Sequence, residues 1–390
     1  MLSSPTITKM SSDTKIMLPD FSDATIVSLL ESIFLGAPKS IKSMKVIAAF
    51  HAIYVITYPD IEYILRVAGN HVPSIKTENE AAILMWLKRN SNVPVPDVIA
   101  FDSTTNNKLD HEYIILSRCP GVAISDIYDS LTAHQLDHIV LQLIDILSEL
   151  HRHPFSCIGG LKLSTESGKE REIIPGPVLD EHFWFIHDIE EYFPSENFDS
   201  VNYHGPFNTY TEYATSAIKS YLHIAELHSA LKVYLTPFLT RISAFLDLLP
   251  EYSSDLNKAE IRLAHKDLHF ANVLYIPETG QISAIIDWEF AGTVPFPQWD
   301  PVRAFLWNAR PGQDSVEEKN RLRSRFAELC RENDARFLVD AEFANSFQEA
   351  LHLVRNSLRG ITTSVPRNLH ADAVEKWTKD LEKGLIVFGV

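Results

Sequence analysis

Acidic, amide and imidazole side chains lie close together in two short stretches of this 390-residue sequence. In residues 265–272, Asp267 lies two residues after a histidine and five residues before an asparagine. In the second stretch, Asp287 ends an apolar run and is followed by a tryptophan and a glutamate. A carboxylate on a tight loop, such as Asp267, can orient a hydroxyl group and accept its proton. In-line phosphoryl transfer to an alcohol requires such a group.

Asn272 and Asp287 offer an amide oxygen and a carboxylate, and Mg²⁺ prefers hard oxygen ligands of this kind. The apolar runs at 273–276 and 282–286 read as short strands joined by a turn at 277–280. Such a hairpin would bring both ligands to the same open end. An ordinary hairpin with a polar loop would show the same pattern, so the spacing alone leaves both interpretations open.

The pattern His265-x-Asp267-x4-Asn272, followed by Asp-Trp-Glu at 287–289, resembles the aminoglycoside phosphotransferase and choline kinase-like branch of the protein-kinase-like fold. In that branch an Asp-Trp-Glu-type triplet replaces the Asp-Phe-Gly of protein kinases. The resemblance covers residues 40–310 and implies the use of ATP and Mg²⁺. Asp267 and His265 would then be catalytic, and Asn272 and Asp287 would hold the metal.

The same resemblance implies an α+β, two-lobed architecture. Residues 17–120 would form an N-terminal nucleotide-binding lobe with a small antiparallel sheet and one helix. Residues 121–390 would form a larger, mainly helical lobe for catalysis and substrate binding. Residues 1–16 lack the apolar core of a signal peptide and are expected to be a flexible tail. Apolar residues at three- and four-residue steps predict helices at 132–150, 315–333, 341–358 and 371–386.

Residues 45–56 and 61–67 read as two strands, which in the family resembled fold over the nucleotide. The phosphate loop would fall near Ala48 and Ala49, although no glycine lies between positions 36 and 69. Because an alanine side chain is small, backbone amides at these positions could still bind phosphate.

Arg66 occupies the position of the family's phosphate-anchoring cation. A guanidinium can hold two phosphate oxygens, although its reach differs from that of lysine. Glu80 is the expected partner, because it recurs at helical spacing with apolar residues and would face inward beside them. The simpler alternative is an exposed arginine at the end of a strand.

The resemblance also implies a hinge and a bracing acid. Residues 112–121 form an apolar strand that ends in Pro-Gly, at the position where main-chain groups of the family contact adenine. This role falls to the backbone of Ser117 and Cys119, although any strand ending in Pro-Gly would show the same pattern. Further along, Asp300 matches an acid that braces the site.

Residues 172–218 contain no Lys or Arg, but nine carboxylates and ten Phe, Tyr or Trp residues. In the family this segment is the helical insert that walls the substrate pocket. Such a wall would repel anionic acceptors and favour a cationic or neutral hydroxylated molecule lying on aromatic faces. In the alternative interpretation, Asp188, Glu190 and Glu191 are only the solvated face of a helix whose aromatic residues pack inward.

The overall composition disfavours several classes of partner. With 35 basic and 51 acidic residues the net charge is −16, which argues against nucleic acid. Cys119, Cys157 and Cys330 are odd in number and widely spaced, so a reducing, cytoplasmic compartment is expected. No run approaches the roughly eighteen apolar residues of a membrane span, so none is predicted.

These observations predict an ATP-dependent phosphotransferase that transfers the γ-phosphate to a hydroxyl of a small, cationic or neutral hydroxylated substrate. The alternative is a degenerate kinase-like nucleotide-binding or interaction module without turnover, which the missing glycines and Arg66 keep open. A protein kinase is disfavoured, because the sequence shows no activation segment ending in Ala-Pro-Glu and Asp287 is followed by Trp-Glu. The sequence specifies neither the acceptor nor the oligomeric state.

Overall fold

The computed structural model describes residues 18–44, 50–69, 71–72, 74–164, 172–296, 313–340 and 343–390 of the chain. Four expectations fall outside these ranges: the tail at 1–16, Ala48 and Ala49 of the phosphate loop, and Asp300.

Strands cluster in the first third of the chain and around the catalytic loop, and helices dominate elsewhere. The strands are β1 (Ser40–Met44), β2 (His51–Thr57), β3 (Glu62–Ala68), β4 (Val98–Asp102), β5 (Tyr113–Ser117), β6 (Val122–Ala123), β7 (Gly160–Leu163), β8 (Ile173–Gly176), β9 (Ile261–Ala264), β10 (Val273–Ile276), β11 (Gln281–Ile285) and β12 (Gly292–Pro295). The helices are α1 (Asp23–Ser32), α2 (Ile75–Asn90), α3 (Ile124–Ile127), α4 (Ala133–His151), α5 (Ile186–Tyr192), α6 (Phe198–Val201), α7 (Tyr210–Leu227), α8 (Ser229–Leu235), α9 (Leu239–Leu248), α10 (Ser253–Leu256), α11 (Gln313–Glu332), α12 (Ser346–Ser364) and α13 (Ala371–Val387).

The small lobe is built on a five-stranded antiparallel sheet with the order β1-β2-β3-β5-β4. Strand β5 shows why both faces of this sheet are covered. Tyr113 and Ile115 join the buried cluster that includes α1, whereas Ile114 and Leu116 join the cluster that includes α2. Alternate residues of a strand point to opposite faces of the sheet. An unbroken apolar run is therefore buried only if other elements pack against both faces.

A three-stranded sheet with the order β11-β10-β6 carries the catalytic hairpin. Strands β10 and β11 pair antiparallel around the turn at 277–280, as the sequence predicts. Strand β6, which follows the expected hinge, pairs with β10. Strand β9 leads into the catalytic loop and pairs with β12, which follows Asp287 in the chain. These pairings bring together the segments expected to form the hinge, the catalytic loop and the metal site.

Helix α4 lies in the core of the large lobe and begins where the sequence predicts. The Thr132 side chain accepts from the Gln135 amide, and the Gln135 side chain accepts from the Thr132 amide. This reciprocal capping box satisfies two amides that a helix start otherwise leaves unpaired. The stripe of Leu136, Ile139 and Leu143 is buried.

The structure differs from the expected elements at α1 and at the start of α12, and part of one expected strand lies outside the described residues. Helix α1 was not predicted, although Ile26, Leu29 and Leu30 carry helical spacing and are buried. The strand expected from residue 45 is described only from His51. The helix expected at 341–358 begins at Ser346, because the Asn345 side chain caps it by accepting from the Gln348 amide. Among the described residues, no helix combines the length and hydrophobicity needed to cross a membrane.

Asn79 of α2 connects the two lobes. Its side-chain nitrogen donates to the carbonyls of Glu289 at 3.2 Å and Ala291 at 2.9 Å, and its oxygen accepts from the Leu161 amide at 2.8 Å. The residue is only 2% exposed. Water therefore cannot replace these partners, and each buried group left unpaired costs about 1–3 kcal/mol.

We expect Asn79→Ala to lower the thermal midpoint of unfolding by several degrees, because it leaves an amide and two carbonyls of the large lobe unpaired. Asn90→Ala, at the end of the same helix, removes an exposed bond to Trp86 and should change stability by less than about 0.5 kcal/mol. Thermal unfolding of both variants checks this, and equal midpoints would contradict it.

Candidate active site

His265 links the catalytic loop to the segment that carries Asp287. Its Nε2 lies 2.9 Å from the Ile286 carbonyl, and its Nδ1 lies 3.3 Å from the Asp267 amide. A carbonyl only accepts and an amide only donates, so the imidazole is neutral with its proton on Nε2. Burial also lowers the pKa of His265. The ring therefore holds Asp267 in place and has no free nitrogen for a substrate.

The Asp267 carboxylate faces the cleft, with 33% of its side chain exposed. Burial by itself would raise the pKa of Asp267, but the hydrogen bond and the charge of His269 lower it. His269 Nε2 lies 3.6 Å from Asp267 Oδ2. The carboxylate is therefore ionised at neutral pH and can accept a hydrogen bond from an alcohol.

The hairpin brings Asn272 and Asp287 together, because the Ile286 amide donates to the Asn272 carbonyl at 3.0 Å. The Asn272 side chain donates its nitrogen to the Asp267 carbonyl at 2.9 Å. This bond orients the amide and leaves Oδ1 without a hydrogen-bond partner among the described residues. Asp287 adopts a φ of +68°, a left-handed conformation that Asp tolerates better than most residues.

These oxygen donors fit a Mg²⁺ ion in chemical type. Within the described ranges, no group of three or more His, Cys, Asp or Glu side chains is arranged to hold a metal. A metal at this position could bind Asn272 Oδ1 and the Asp287 carboxylate. Nucleotide phosphates and water supply the remaining ligands in such sites.

Arg66 lies between carboxylates of the two lobes. From β3, its NH1 donates to Glu80 of α2, and its NH2 donates to Asp287 Oδ1 at 2.6 Å. Burial by itself would lower the pKa of Arg66, but the charges of Glu80 and Asp287 raise it above the ordinary value. The structure thus brings together three residues that the sequence placed in the nucleotide and metal sites.

Lys76 of α2 is a second buried cation, only 1% exposed. Its Nζ lies 2.6 Å from Glu289 Oε2 and 3.2 Å from His51 Nε2. Burial and the charges of Lys76 and Arg66 lower the pKa of His51 well below its ordinary value, so the ring is neutral. With its proton on Nδ1, which faces Glu289 Oε2 at 3.5 Å, the ring accepts from Lys76. Arg66 NH2 also lies close to His51 Nδ1. With the proton on Nδ1, both atoms are donors, so no hydrogen bond forms between them.

With all three of its carboxylates ionised, the buried network would carry one excess negative charge. Arg66 and Lys76 are opposed by Glu80, Asp287 and Glu289. Burial raises the pKa of Glu80 and that of Glu289. A cation that enters the site would therefore relieve electrostatic repulsion among the three carboxylates.

Phe50 packs among three aromatic rings beside Lys76. Its ring lies edge-on to His71, Phe185 and Phe290, with ring centroids 5.5 Å away in each case. The Lys76 Nζ lies 5.3 Å from its centroid. Phe50 thus joins the small lobe to the acceptor side and helps to shield Lys76 from solvent.

The two residues of the expected hinge, Ser117 and Cys119, differ in whether their backbone amides are already hydrogen-bonded. Ser117 is the last residue of β5, and its amide donates to the Asp97 carbonyl at 2.9 Å. Cys119 lies beyond the strand, and its amide has no hydrogen-bond partner in the part of the chain that the structure describes. Of these two amides, only that of Cys119 is available to an adenine ring.

Asp180 lies in the segment at 172–218, which is expected to wall the acceptor pocket. It is 5% exposed, and its carboxylate accepts from the Tyr203 hydroxyl and the His182 amide, each at 3.0 Å. Arg359 lies 3.7 Å away. Burial by itself would raise the pKa of Asp180, but the bond from His182 and the charge of Arg359 lower it well below the ordinary value.

The next residue, Glu181, lies near the catalytic base. Burial raises the pKa of Glu181, His182 opposes this, and the charge of Asp267 adds to the rise. Lys266 connects the two regions, because its Nζ donates to the Leu179 carbonyl. Burial lowers the pKa of Lys266 to about 8. The wall is therefore attached to the residue directly before Asp267.

Arginines from the C-terminal part of the chain neutralise part of the acidic segment at 172–218. Arg359 of α12 pairs with Asp180, and Arg367 donates to Asp188 at 2.8 Å while lying over the Trp184 ring. Asp188 is therefore buried and paired, unlike the solvated residue of one sequence interpretation. Composition of the segment alone overstated its negative charge, because the compensating cations are distant in sequence.

Glu190 and Glu191 of α5 are exposed, as the solvated-helix interpretation expects. Phe183 and Phe185 are buried, which agrees with the aromatic residues packing inward. The negative charge that faces Asp267 therefore comes from the turn at 180–182 rather than from α5.

Sequence reasoning missed several residues of this site: His51, Lys76, Asn79, Glu181, Lys266 and Glu289. Lys76 carried a usable signal, because it lies four residues before Glu80 and on the same face of α2. His51 and Glu181 carried none, because the site residues they lie near, Glu289 and Asp267 respectively, are distant from them in the chain.

A carboxylate near an amide oxygen and a second carboxylate, with a buried Arg–Glu pair opposite, is the arrangement expected of a kinase-like phosphotransferase site on a two-lobed α+β fold. The model of the phosphotransferase enzyme family (APH) matches residues 47–324, well over half of the chain. The chain belongs to this family, and the resemblance seen in the sequence is confirmed.

Solved structures show the same fold. The gentamicin–APH(2")-IIa complex has a TM-score of 0.51 at 12% identity, covering 93% of this chain and 97% of that chain. A protein from Ralstonia eutropha, described as a proposed aminoglycoside phosphotransferase, has a TM-score of 0.50 at 13% identity, covering 94% and 98%. The expected two-lobed, kinase-like fold is thus confirmed.

Two fungal proteins are similar in sequence. A subtelomeric hrmA-associated cluster protein of Aspergillus fumigatus is 23% identical over 261 residues, 56% of this chain and 50% of that protein. Clavilactone A biosynthesis cluster protein Y of Ampulloclitocybe clavipes is 24% identical over 294 residues, 67% of this chain and 64% of that protein. The chain spans about half the length of the first of these relatives.

Removal of the Asp287 carboxylate should weaken Mg²⁺-dependent ADP binding roughly tenfold more than removal of the Asn272 amide, because the charged ligand contributes more to holding a divalent cation. Calorimetric titration of ADP into Asp287→Ala and Asn272→Ala at fixed Mg²⁺ measures the difference. Asp97→Ala, which removes an exposed acid near the hinge, is the control. Normal binding by Asp287→Ala would refute the assignment.

Proposed function

We propose that the protein is a Mg²⁺-dependent kinase that transfers the γ-phosphate of ATP to a hydroxyl group of a small molecule. The observation that carries this proposal is the convergence of Asp267, Asn272 and Asp287 at one edge of the catalytic hairpin. The buried pair of Arg66 and Glu80 lies directly beside them and supplies a cation for the phosphates.

The nucleotide would lie between the lobes, with its adenine at the Cys119 amide and its phosphates near Arg66. Asn272 Oδ1 and the Asp287 carboxylate would hold Mg²⁺. When bound, Mg²⁺ neutralises phosphate charge and aligns the transferred group. Arg66 would then turn from Asp287 toward the phosphates while remaining paired with Glu80.

Asp267 would act on the acceptor. The acceptor hydroxyl donates a hydrogen bond to the Asp267 carboxylate, and its oxygen attacks the γ-phosphorus. The new O–P bond forms as the bond from phosphorus to the bridging oxygen breaks, and ADP leaves with that electron pair. The hydroxyl proton passes to Asp267, while His265 holds the loop in position.

A second candidate function is a nucleotide-binding module without turnover. It is favoured by the Arg66–Asp287 ion pair, which engages an expected metal ligand, and by the absence of glycine between positions 36 and 69. ADP release in the presence of candidate acceptors separates the two functions. Thermal shifts with ATP and GTP, with and without Mg²⁺, test the nucleotide binding that both require, since a ligand that binds the folded state raises the melting temperature. No stabilisation by any nucleotide would refute both functions.

Asp267→Asn should reduce turnover about a hundred- to ten-thousand-fold while nucleotide affinity is retained, because the amide keeps the shape but accepts no proton. ADP release gives the rate, and calorimetry gives the affinity. Asp255→Asn, an exposed acid paired with Lys258, is the control and should match the wild type. A turnover equal to wild type in Asp267→Asn would end this assignment.

For the acceptor, we propose a cationic or neutral hydroxylated molecule. Glu181 supports this, because its ion-pair partner within the described ranges is His182 at 3.4 Å rather than an arginine. Two carboxylates, Glu181 and Asp267, would then face the acceptor. An ammonium group would be attracted to this pair, and a phosphate or carboxylate would be repelled.

Amino alcohols and neutral sugars should therefore release more ADP than sugar phosphates and hydroxy acids. Glu181→Gln should raise the Michaelis constant of a cationic acceptor, and added salt should reduce the difference from wild type. The double change Glu190→Gln with Glu191→Gln alters exposed acids of α5 and serves as the control. A screen in which anionic acceptors give the highest rates would overturn the proposal.

We also propose a reducing, cytoplasmic compartment and no nucleic-acid partner. All three cysteines are free, which supports the first part. The net charge of −16 supports the second.

A further inference from the structure

Lys76 has no part in the reaction proposed above, yet it lies inside the site. Its Nζ is 2.6 Å from Glu289 Oε2, and the Arg66 NH2 is 3.9 Å from the same oxygen. One carboxylate oxygen is thus within reach of both buried cations. Glu289 is also only two residues after Asp287, the expected metal ligand.

Arg66 therefore has two potential partners in the large lobe. Its NH2 donates to Asp287 Oδ1 at 2.6 Å, whereas Glu289 Oε2 lies farther away, at 3.9 Å. A buried carboxylate without a partner attracts the nearest cation strongly, because solvent screening there is weak. Lys76 already pairs with Glu289, so Arg66 stays with Glu80 and Asp287.

Exposure decreases steadily from the cleft inward. The side chain of Asp287 is 33% exposed, Arg66 10%, Glu289 5% and Lys76 1%. A ligand that enters the cleft meets Asp287 and Arg66 first, and Glu289 separates it from Lys76. Lys76 can therefore influence a nucleotide only through its neighbours.

We propose that Lys76 is a positioning residue of the nucleotide site. By pairing with Glu289, it prevents that carboxylate from drawing Arg66 inward, and so keeps the guanidinium at the mouth of the cleft for the nucleotide's phosphates. This inference rests on the proposed function. The sequence makes Arg66 especially important, because no glycine lies between positions 36 and 69 to bring backbone amides close to phosphate.

A double-mutant cycle tests the proposal with Lys76→Met, Glu289→Gln and the double variant. Affinities are measured for ADP with Mg²⁺ and for adenosine, which has no phosphate. In the wild-type background, Lys76→Met should reduce the affinity for ADP at least about fivefold more than it reduces the affinity for adenosine. In the Glu289→Gln background the same change should cost less than about twofold, because no charged carboxylate competes for Arg66.

Two outcomes would overturn the proposal. Equal loss in both backgrounds would mean that Lys76 contacts the phosphates directly. Equal weakening of ADP and adenosine would mean that Lys76 only supports the fold. Lys88→Met is the matched control, since Lys88 is on the same helix, is 43% exposed and pairs with Asp97. If Lys76→Met does not fold, Lys76→Gln, which keeps a hydrogen-bond donor, replaces it in the cycle.

Pyrophosphate with Mg²⁺ is titrated in parallel, because it probes the phosphate site without a nucleoside. A wild type that binds ADP but shows no coupling between Lys76 and Glu289 refutes this inference alone. If the wild type binds pyrophosphate but no nucleotide, the proposed function is refuted. The double-mutant cycle is then evaluated from the affinities of the variants for pyrophosphate. A wild type that binds neither refutes both.

Discussion

The guanidinium of Arg66 joins the two lobes at the point where they must cooperate. It donates to Glu80 from the small lobe and to Asp287 from the large lobe, and all three groups lie in or beside a buried region. Breaking a buried ion pair by removing one partner costs about 3–5 kcal/mol. The sheet that holds Arg66, the helix that holds Glu80 and the hairpin that ends at Asp287 must therefore keep their relative positions, unless a ligand replaces one of these contacts.

Helix α2 has two different buried faces. Its apolar residues pack on the sheet, whereas Lys76, Asn79 and Glu80 face the large lobe and are each at most 2% exposed. Lys76 and Asn79 have partners across the interface, and Glu80 pairs with Arg66 of its own lobe, so this buried face avoids the cost of unpaired groups. A fully satisfied polar face of this kind allows one docking position, since a shift of one turn would leave several groups unpaired.

The acceptor side has a different electrostatic character. Its wall is rich in carboxylates. Two of these, Asp180 and Asp188, pair with arginines from α12 and from the residues that follow it. Within the described ranges, Glu181 forms its ion pair with His182 and interacts electrostatically with Asp267. Lys266, whose φ of +70° is unusual for a lysine, links the wall to the catalytic loop through Leu179. The composition of one segment is therefore a poor guide to the field inside a pocket.

The sequence by itself determined the family, the two-lobed fold, the catalytic hairpin and the capping box that starts α4. These depend on spacing and periodicity within short stretches, where neighbours in the chain are neighbours in space. Helical spacing also predicted that Glu80 faces inward, and in the structure Glu80 pairs with Arg66. Only the tertiary structure decided which cations meet which carboxylates. Lys76 and Glu289 are 213 residues apart, and Arg66 and Asp287 are 221 apart. Local patterns cannot encode such pairs, because they depend on how distant elements pack together.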